Sequence, residues 1–361
     1  TFQVAQPARA AVDAGSRPAG QGTHVQFASR LLELLASPNI ASREQIVRRY
    51  DHEVQGGTVV KPFAGPGGDA PQDAAVLVPQ GTGGAWGIAL SNAIRPDKGE
   101  VDPCGMAWSC VDEAVRNAVA VGADPDKLAI LDNFCMGNPN DPLVMGALVE
   151  TARGLHDAAL AYGTPIISGK DSFYNEYLGG DGRRHAIPPS LLVSAMGFVP
   201  NVTKVMTSFL KQPGDLLMLV RGSHLLPTDR IRNFYRAIHQ AIQAGELAAV
   251  HDCAEGGAAV AVAEMCMGGR MGAVLEIPSS EEGDDFWFAD MDAALIVEVR
   301  QGFEERFEMR MAEAAGSEAL TLLGEVQRAP VLEITGHGVR ETIAIDQLLT
   351  AWKVQGAEVL P

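Results

Sequence analysis

Three short segments combine side chains and glycines of the types that bind metal ions or phosphates. The first covers residues 131–139 (Leu-Asp-Asn-Phe-Cys-Met-Gly-Asn-Pro) and directly follows an apolar, strand-like run at residues 128–131. A carboxylate at the end of a strand, such as that of Asp132, is well placed to hold a metal ion or a ligand. The spacing alone favours the other interpretation, a turn of Asp, Asn and Gly that leads into the next helix.

The second segment is Ser-Gly-Lys-Asp-Ser at residues 168–172, after a predicted strand at residues 165–168. Gly169 allows the backbone to approach a phosphate, Lys170 supplies a positive charge and Ser172 supplies a hydroxyl group. A P-loop also needs a glycine at position 164, where this chain has threonine, so the segment is not a P-loop. A phosphate-facing loop of another kind and a plain turn remain equally open.

The third segment is His-Asp-Cys-Ala-Glu-Gly-Gly at residues 251–257, ahead of a predicted helix of small residues. The N-terminus of that helix would attract an anion, although tight packing of the helix is the favoured interpretation. Cys253 lies near His251, but no third group that would orient them is evident, which disfavours a Cys–His nucleophile. Elsewhere, His52 belongs either to an acid–base group or to a solvated turn, and Lys61 either meets a phosphate or is solvated.

Alternating helical and strand-like patterns predict the elements that position these segments. A helix is predicted from Asp102, an N-cap followed by proline, to Gly122, and another over residues 143–162 before Gly163. Short strand-like runs surround these helices, and a fresh series of strands and helices follows the turn-rich stretch at 201–213.

This alternation in both halves predicts a fold of the α/β and α+β classes with two domains. A leader or linker and a helix are expected at residues 1–40, a first domain at 41–205 and a second domain at 206–361. The length of 361 residues also favours two domains, at about 150 residues each.

The composition excludes several classes of protein. The formal net charge of −17 argues against a nucleic-acid surface but not against a local phosphate site. The apolar runs are shorter than the roughly 18 residues that a membrane helix needs. Five cysteines without a Cys-x-x-Cys pair disfavour a zinc site or a disulfide framework, and the N-terminus lacks a signal-peptide pattern. We therefore expect a cytoplasmic protein.

Several of these segments together resemble the second half of phosphoribosylformylglycinamidine (FGAM) synthases, over roughly residues 40 to 340. Each motif is short, but their order and spacing make the resemblance specific. The matching motifs are Tyr-Asp-His-Glu-Val-Gln-Gly at 50–56, Val-Val-Lys-Pro at 59–62, Glu-Ala-Val-Arg-Asn at 113–117, Val-Gly-Ala at 121–123, Asp-Asn at 132–133, Gly-Asn-Pro at 137–139, Ser-Gly-Lys-Asp-Ser at 168–172, Tyr-Asn-Glu at 174–176, His-Asp at 251–252 and Gly-Gly at 256–257.

The resemblance implies the fold of the aminoimidazole ribonucleotide (AIR) synthetase, or PurM-like, superfamily. In that fold an N-terminal α/β domain, which binds nucleotide, precedes a C-terminal α+β domain. The N-terminal domains pair across a two-fold axis into a barrel-like sheet. A homodimer of this chain is therefore expected, since FGAM synthases contain the unit twice and this chain resembles only the second copy.

The resemblance also implies a reaction and residue roles. FGAM synthases use ATP and Mg²⁺ to convert formylglycinamide ribonucleotide and ammonia, delivered by a glutaminase, into the amidine. Asp132 would then contact ATP, Gly169 would offer its backbone to ATP, and Ser172 would bind the ribonucleotide. Residue 170 occupies a magnesium position that is asparagine in the small form of the family. Lys170, as in the long fused form, would bind phosphate directly instead, because an ammonium group cannot ligate a metal.

The catalytic histidines of the family lie in the first copy, so no catalytic residue is assigned here and this chain alone is expected to be inactive without its N-terminal half. Two alternatives remain. If the chain is not half of an FGAM synthase, it is either a non-catalytic nucleotide-binding module or another ATP-using enzyme of the same superfamily. The second alternative predicts an acidic magnesium cluster near the N-terminus, for which Asp69 and Asp73 are the candidates.

Overall fold

The computed structural model describes residues 27–50, 53, 55–222, 228–276, 283–336 and 339–354. The predicted leader up to residue 26 and the candidate His52 lie outside these residues. The elements of the first half, in chain order, are α1 (Phe27–Leu35), α2 (Glu44–Val47), β1 (Thr58–Val60), β2 (Phe63–Ala64), β3 (Ala70–Pro71), β4 (Ala75–Leu77), β5 (Gly87–Ile94), α3 (Pro96–Gly99), α4 (Pro103–Ala120), β6 (Leu128–Cys135), α5 (Pro142–Tyr162), β7 (Ile166–Ser172), β8 (Glu176–Leu178), β9 (Arg184–Ala186) and β10 (Ser190–Val199).

The second half repeats the alternation of strands and helices. Its elements are β11 (Leu216–Arg221), α6 (Thr228–Ala244), β12 (Leu247–Asp252), α7 (Gly257–Gly269), β13 (Gly272–Glu276), α8 (Gly283–Phe288), β14 (Ala294–Val299), α9 (Glu304–Ala315), β15 (Leu320–Gln327), β16 (Val331–Gly336), β17 (Val339–Ala344) and α10 (Ile345–Val354).

Two mixed sheets organise these elements, as the predicted α/β and α+β class requires. The first sheet has the strand order β1-β4-β5-β10-β6-β7, and the second has the order β12-β14-β11-β15-β13-β16-β17. Most neighbouring strands are antiparallel, but β6 pairs with β7, and β13 with β16, in parallel. Of the residues described, no helix is both long enough and apolar enough to span a bilayer.

The two long helices of the first half begin and end where their sequence signals predict. The Asp102 side chain accepts a hydrogen bond from the Gly105 backbone N–H at 2.8 Å, and Pro103 is the first residue of α4. Asp141 caps α5 in the same way, and Gly163 ends it with a φ of +70°. Both predicted helices are confirmed, and α4 contacts β5 and β10 of the first sheet as well as β12 and β14 of the second.

The two segments after β-type runs were expected as turns or loops, and this expectation is wrong. Strand β6 continues to Cys135, so Asp132 lies within the strand, and residues 168–172 lie inside β7. The backbone of β7 pairs with β6 in register, with Asp132 opposite Gly169 and Cys135 opposite Ser172. Polar residues are tolerated there because β7 is an edge strand whose side chains are almost all exposed.

Helices cover one face of the first sheet, and the other face is open. The alternation of burial along β5 places Leu90 and Ile94 on the open face, where they are 43% and 48% exposed. Met196 on the neighbouring β10 is paired with Leu90 and is 38% exposed. The sheet therefore presents an apolar surface that a partner can cover.

Candidate functional site

A cavity of about 470 Å³ opens between the two halves of the chain. Helix α4, the end of β12 and the segment between β3 and β4 supply its polar wall. Its lining residues are Asn39, Ile40, Arg43, Pro71, Gln72, Asp73, Ile94, Arg95, Pro96, Asp97, Glu113, Asn117, His251, Asp252, Ala254, Glu255, Val260 and Glu264.

Asp73, His251 and Asp252 meet in this cavity. One potential ligand atom from each of them lies within 4.8 Å of the others. His251 and Asp252 are the last two residues of β12, whereas Asp73 precedes β4 and is 178 positions away from His251. Folding therefore brings together side chains that are remote in sequence.

His251 is held between two carboxylates. Its Nδ1 lies 2.6 Å from Oδ1 of Asp73, and its Nε2 lies 2.9 Å from Oε2 of Glu264. Burial by itself would lower the pKa of His251, but the charges and hydrogen bonds of Asp73 and Glu264 outweigh burial and raise this pKa well above its usual value. Both ring nitrogens of His251 are therefore occupied by carboxylates.

Helix α4 adds Glu113 and Asn117, which are four residues apart and share one face of the helix. Burial raises the pKa of Glu113 to about 7, despite the nearby Arg116, and raises that of Asp73 to about 6, despite His251. Asn117 is 7% exposed. Its Oδ1 is buried without a hydrogen-bond partner among the described residues.

Asp73, Glu113, Asn117 and Asp252, which all carry oxygen donors, thus line one cavity. Carboxylate and amide oxygens are the donors that Mg²⁺ and other hard cations prefer. A buried amide oxygen without a partner is costly, and a bound cation would satisfy it. The composition of the donor set fits a divalent cation.

The four residues singled out from the sequence lie on β6 and β7. A Cβ atom on Gly169 would lie 2.6 Å from Oδ1 of Asp132, so only glycine leaves room for that carboxylate. The Nζ of Lys170 donates a hydrogen bond to Oγ of Ser172. Because side chains alternate along a strand, these two pairs lie on opposite faces of the edge. None of the four is among the described residues that line the cavity.

Burial raises the pKa of Asp132, and the nearby negative charge of Asp171 raises it further. This carboxyl group is half-buried on the side of the sheet where Ile130 and Phe134 are buried.

Asp69 and Asp73, the two candidates for an acidic cluster, have different surroundings. Asp69 accepts hydrogen bonds from Arg270 at 2.8 Å and from Lys353. Burial opposes ionisation of Asp69, but Lys353 and Arg270 outweigh it and lower the pKa of this carboxyl group. Asp69 is therefore a structural ion-pair residue, and only Asp73 belongs to the cavity.

The remaining sequence candidates have structural roles. Helix α7 is almost entirely buried, as the packing interpretation predicted. Burial raises the pKa of the Cys253 thiol to about 12, which agrees with the prediction against a Cys–His nucleophile. Lys61 forms an ion pair with Glu53 at 2.8 Å.

Glu113, Asn117 and Glu264 were not predicted as site residues. A signal was nevertheless present, because Asp112, Glu113, Arg116 and Asn117 interrupt a helix whose other residues are mainly small and apolar. Charged and amide side chains that a helix buries usually have a partner or a ligand.

Comparisons with known proteins place both halves in one family. Residues 71–199 match the family model "AIR synthase related protein, N-terminal domain", and residues 212–337 match the model "AIR synthase related protein, C-terminal domain". Together the matches cover well over half of the chain.

Among individual proteins, the chain is 40% identical over 190 residues to the phosphoribosylformylglycinamidine synthase subunit PurL of Deinococcus radiodurans, a match that covers 53% of this chain and 24% of that one. The chain therefore matches about a quarter of the length of this relative. Thermotoga maritima PurL complexed with ATP has a similar fold, with a TM-score of 0.68, 16% identity, and coverage of 90% of this chain and 52% of that one. The same protein complexed with FGAR gives a TM-score of 0.66, 16% identity, and coverage of 89% and 53%.

Proposed function

The chain belongs to the AIR synthase related protein family, and we propose that it forms the C-terminal half of an FGAM synthase of the PurL type. In that enzyme ATP would activate formylglycinamide ribonucleotide, and ammonia from a glutaminase would form the amidine. The 40% identity to a PurL subunit over 190 residues supports this type of reaction. The PurL structures with ATP and with FGAR support a ligand-binding role for this fold.

The observation that carries the proposal is the convergence of oxygen donors in the cavity between the halves. Asp73, Glu113, Asn117 and Asp252 would hold Mg²⁺, and the buried Oδ1 of Asn117 is the atom that most needs it. Magnesium would neutralise phosphate charge when a nucleotide binds. Arg43 also lines the cavity and adds positive charge near such a ligand, whereas Arg95 of the lining is paired with Asp97 and Asp290.

The edge of the first sheet is a second proposed ligand surface, whose residues are not among the described residues that line the cavity. Asp132 and Gly169 would contact ATP, Lys170 would meet a phosphate and Ser172 would bind the ribonucleotide. Because the pairs lie on opposite faces of the edge, ATP at Asp132 and Gly169 and the ribonucleotide at Ser172 would lie on opposite faces of β7. Lys170 and Ser172 are on the face that a partner would cover.

The open apolar face of the first sheet supports two proposed partners, the N-terminal half of the enzyme and a second copy of this chain. In the parent enzyme the N-terminal half would cover Leu90, Ile94 and Met196. In the isolated chain a second copy would do so and form a homodimer.

A non-catalytic nucleotide-binding module is the second candidate. One observation favours it. His251 is the single histidine among the described residues that line the cavity, and each of its ring nitrogens contacts a carboxylate. A cavity whose histidine is occupied in this way can bind a nucleotide without supplying a histidine base for turnover.

Calorimetry with ADP, with and without Mg²⁺, tests binding. We expect binding that requires Mg²⁺ and that Glu113→Gln weakens by at least about tenfold. Glu150→Gln is the matched control, because Glu150 lies on another helix and pairs with Arg153 at the surface. If ADP does not bind, or binds equally well without the metal, the cavity is not a Mg²⁺-nucleotide site.

Turnover separates the two candidates. With the missing half, substrate and ammonia, the chain should release ADP from ATP, whereas alone it should not. A mixture that remains inactive while both halves bind nucleotide favours the non-catalytic module. Full activity of this chain alone would contradict its assignment as an incomplete half.

A further inference from the structure

Behind the cavity, a buried carboxylate joins the two halves of the chain. Oδ1 of Asp112 accepts hydrogen bonds from the hydroxyl groups of Tyr162 on α5, at 2.7 Å, and Tyr235 on α6, at 2.6 Å. Its Oδ2 accepts the backbone N–H of Ala293 at 2.8 Å. Burial and the charge of Asp112 raise the pKa values of both phenols well above their usual value, so both remain protonated donors.

Arg116 connects this carboxylate to the cavity. Its Nη1 donates to Oδ2 of Asp112 at 2.5 Å, and its Nη2 lies 3.5 Å from Oδ2 of Asp252. Asp112 and Arg116 are each only 1% exposed. A continuous polar chain therefore runs from the two tyrosines, through Asp112 and Arg116, to an oxygen donor of the proposed cation site.

We propose that Asp112, Arg116, Tyr162 and Tyr235 form a bracket that fixes the Asp252 carboxylate in the orientation that binds the cation. None of these four residues is among the described residues that line the cavity, so we regard them as positioning residues that act through Asp252. This inference rests on the proposed cation site. It adds that the affinity of the site depends on how the two halves are held together.

The geometry explains why arginine suits this position. The planar guanidinium offers two nitrogens in a fixed fork, so one reaches Asp112 while the other faces Asp252. A lysine would keep the positive charge but could not hold both carboxylates in fixed directions. Partners of this kind, one step behind the ligands, typically change metal affinity by about 10–100-fold when altered.

Charge and positioning predict different results. Removal of the Arg116 charge would strengthen cation binding if electrostatic repulsion were its main effect. Arg116→Lys and Tyr235→Phe leave the net charge unchanged, so any loss of affinity in these variants reports positioning. Tyr177→Phe is the matched control, because Tyr177 is 65% exposed on the β8–β9 hairpin.

The experiment measures binding of Mn²⁺ alone, by electron paramagnetic resonance, to the full chain and these variants. We expect the Mn²⁺ dissociation constant to rise by about tenfold in Arg116→Lys and by a smaller factor in Tyr235→Phe, with no change in Tyr177→Phe. Circular dichroism confirms that each variant is folded, and Tyr162→Phe replaces Tyr235→Phe if the latter fails to fold.

Two failures are distinguishable. If the unaltered chain binds Mn²⁺ and Arg116→Lys binds it equally well, the bracket has no positioning role and the proposed cation site stands. If the unaltered chain does not bind Mn²⁺, the cation site itself is wrong and the bracket inference falls with it.

Discussion

Replacing Asp112 with asparagine removes one negative charge from the buried junction between the halves and leaves its shape almost unchanged. The asparagine oxygen can still accept hydrogen bonds from Tyr162 and Tyr235. Its amide NH₂ group, however, faces the Arg116 guanidinium and the Ala293 N–H, both of which are donors. The variant therefore leaves one buried charge and one buried N–H without an acceptor at this position.

The expected loss is large. Breaking a buried ion pair from one side typically costs about 3–5 kcal/mol, because the remaining charge stays buried. Asp252, at 3.5 Å from Nη2, compensates Arg116 only in part. Domains are usually stable by only about 5–15 kcal/mol, so Asp112→Asn should remove a large fraction of the free energy of unfolding.

Asp126 provides a matched control. It also pairs with arginines of α6 at the junction between the halves, Arg232 at 3.3 Å and Arg236 at 2.6 Å, but all three side chains are at least one-third exposed. Exposed pairs contribute about 0–1 kcal/mol, so Asp126→Asn should have little effect. The double variant Asp112→Asn/Arg116→Met should regain part of the stability, because it removes the unpaired charge.

Urea unfolding, followed both by tryptophan fluorescence and by circular dichroism, measures these differences. Equal midpoints and slopes for Asp112→Asn and Asp126→Asn would refute the view that burial makes the Asp112 interactions strong. A double variant less stable than Asp112→Asn would show that the loss does not come from an unpaired Arg116.

Two further predictions concern pH and self-association. Glu298 is fully buried and accepts backbone hydrogen bonds from Lys211 and Gln212, and burial raises its pKa from the usual 4.5 to about 7. A carboxyl group whose pKa is raised in the folded state contributes stability that is present below pH 4.5 and lost as the pH rises through 7. Over this range the free energy of unfolding of the unaltered chain should therefore fall by about 3 kcal/mol more than that of Glu298→Gln. Parallel profiles of urea-unfolding stability against pH would contradict this assignment. On the open sheet face, Met196→Lys should convert a dimer into a monomer by light scattering, whereas Met309→Lys on α9, at a 66% exposed site, should not. A monomeric unaltered chain would remove the basis for self-pairing.

The helices of the first half could be predicted because their ends are encoded locally. The ends of α4 and α5 need only the neighbouring residues: α4 begins after Asp102 and α5 ends at Gly163, as predicted, and the structure adds Asp141 as the cap of α5. The strands β6 and β7 extend beyond their predictions because pairing with a neighbour determines their length. The polar residues 168–172 resemble a loop in isolation, yet the parallel ladder with β6 holds them extended.

The cavity could be predicted only in fragments. His251 and Asp252 attracted attention as a motif, but their partners Asp73 and Glu264 depend on tertiary packing. The same holds for the contrast between Asp69 and Asp73. Two aspartates four positions apart differ in role because Arg270 and Lys353 reach only the first.

The excess of acidic residues in the chain has a specific consequence for ligand binding in this cavity. Asp73, Glu113, Asp252 and Glu264 all line it, and His251 is buried between the carboxylates of Asp73 and Glu264. Nucleotide phosphates would be repelled by such a wall unless a further cation lay between them and the carboxylates. A bound metal ion would make an acidic wall compatible with an anionic ligand, so nucleotide binding in this cavity should depend more steeply on Mg²⁺ than on Arg43 or Arg95.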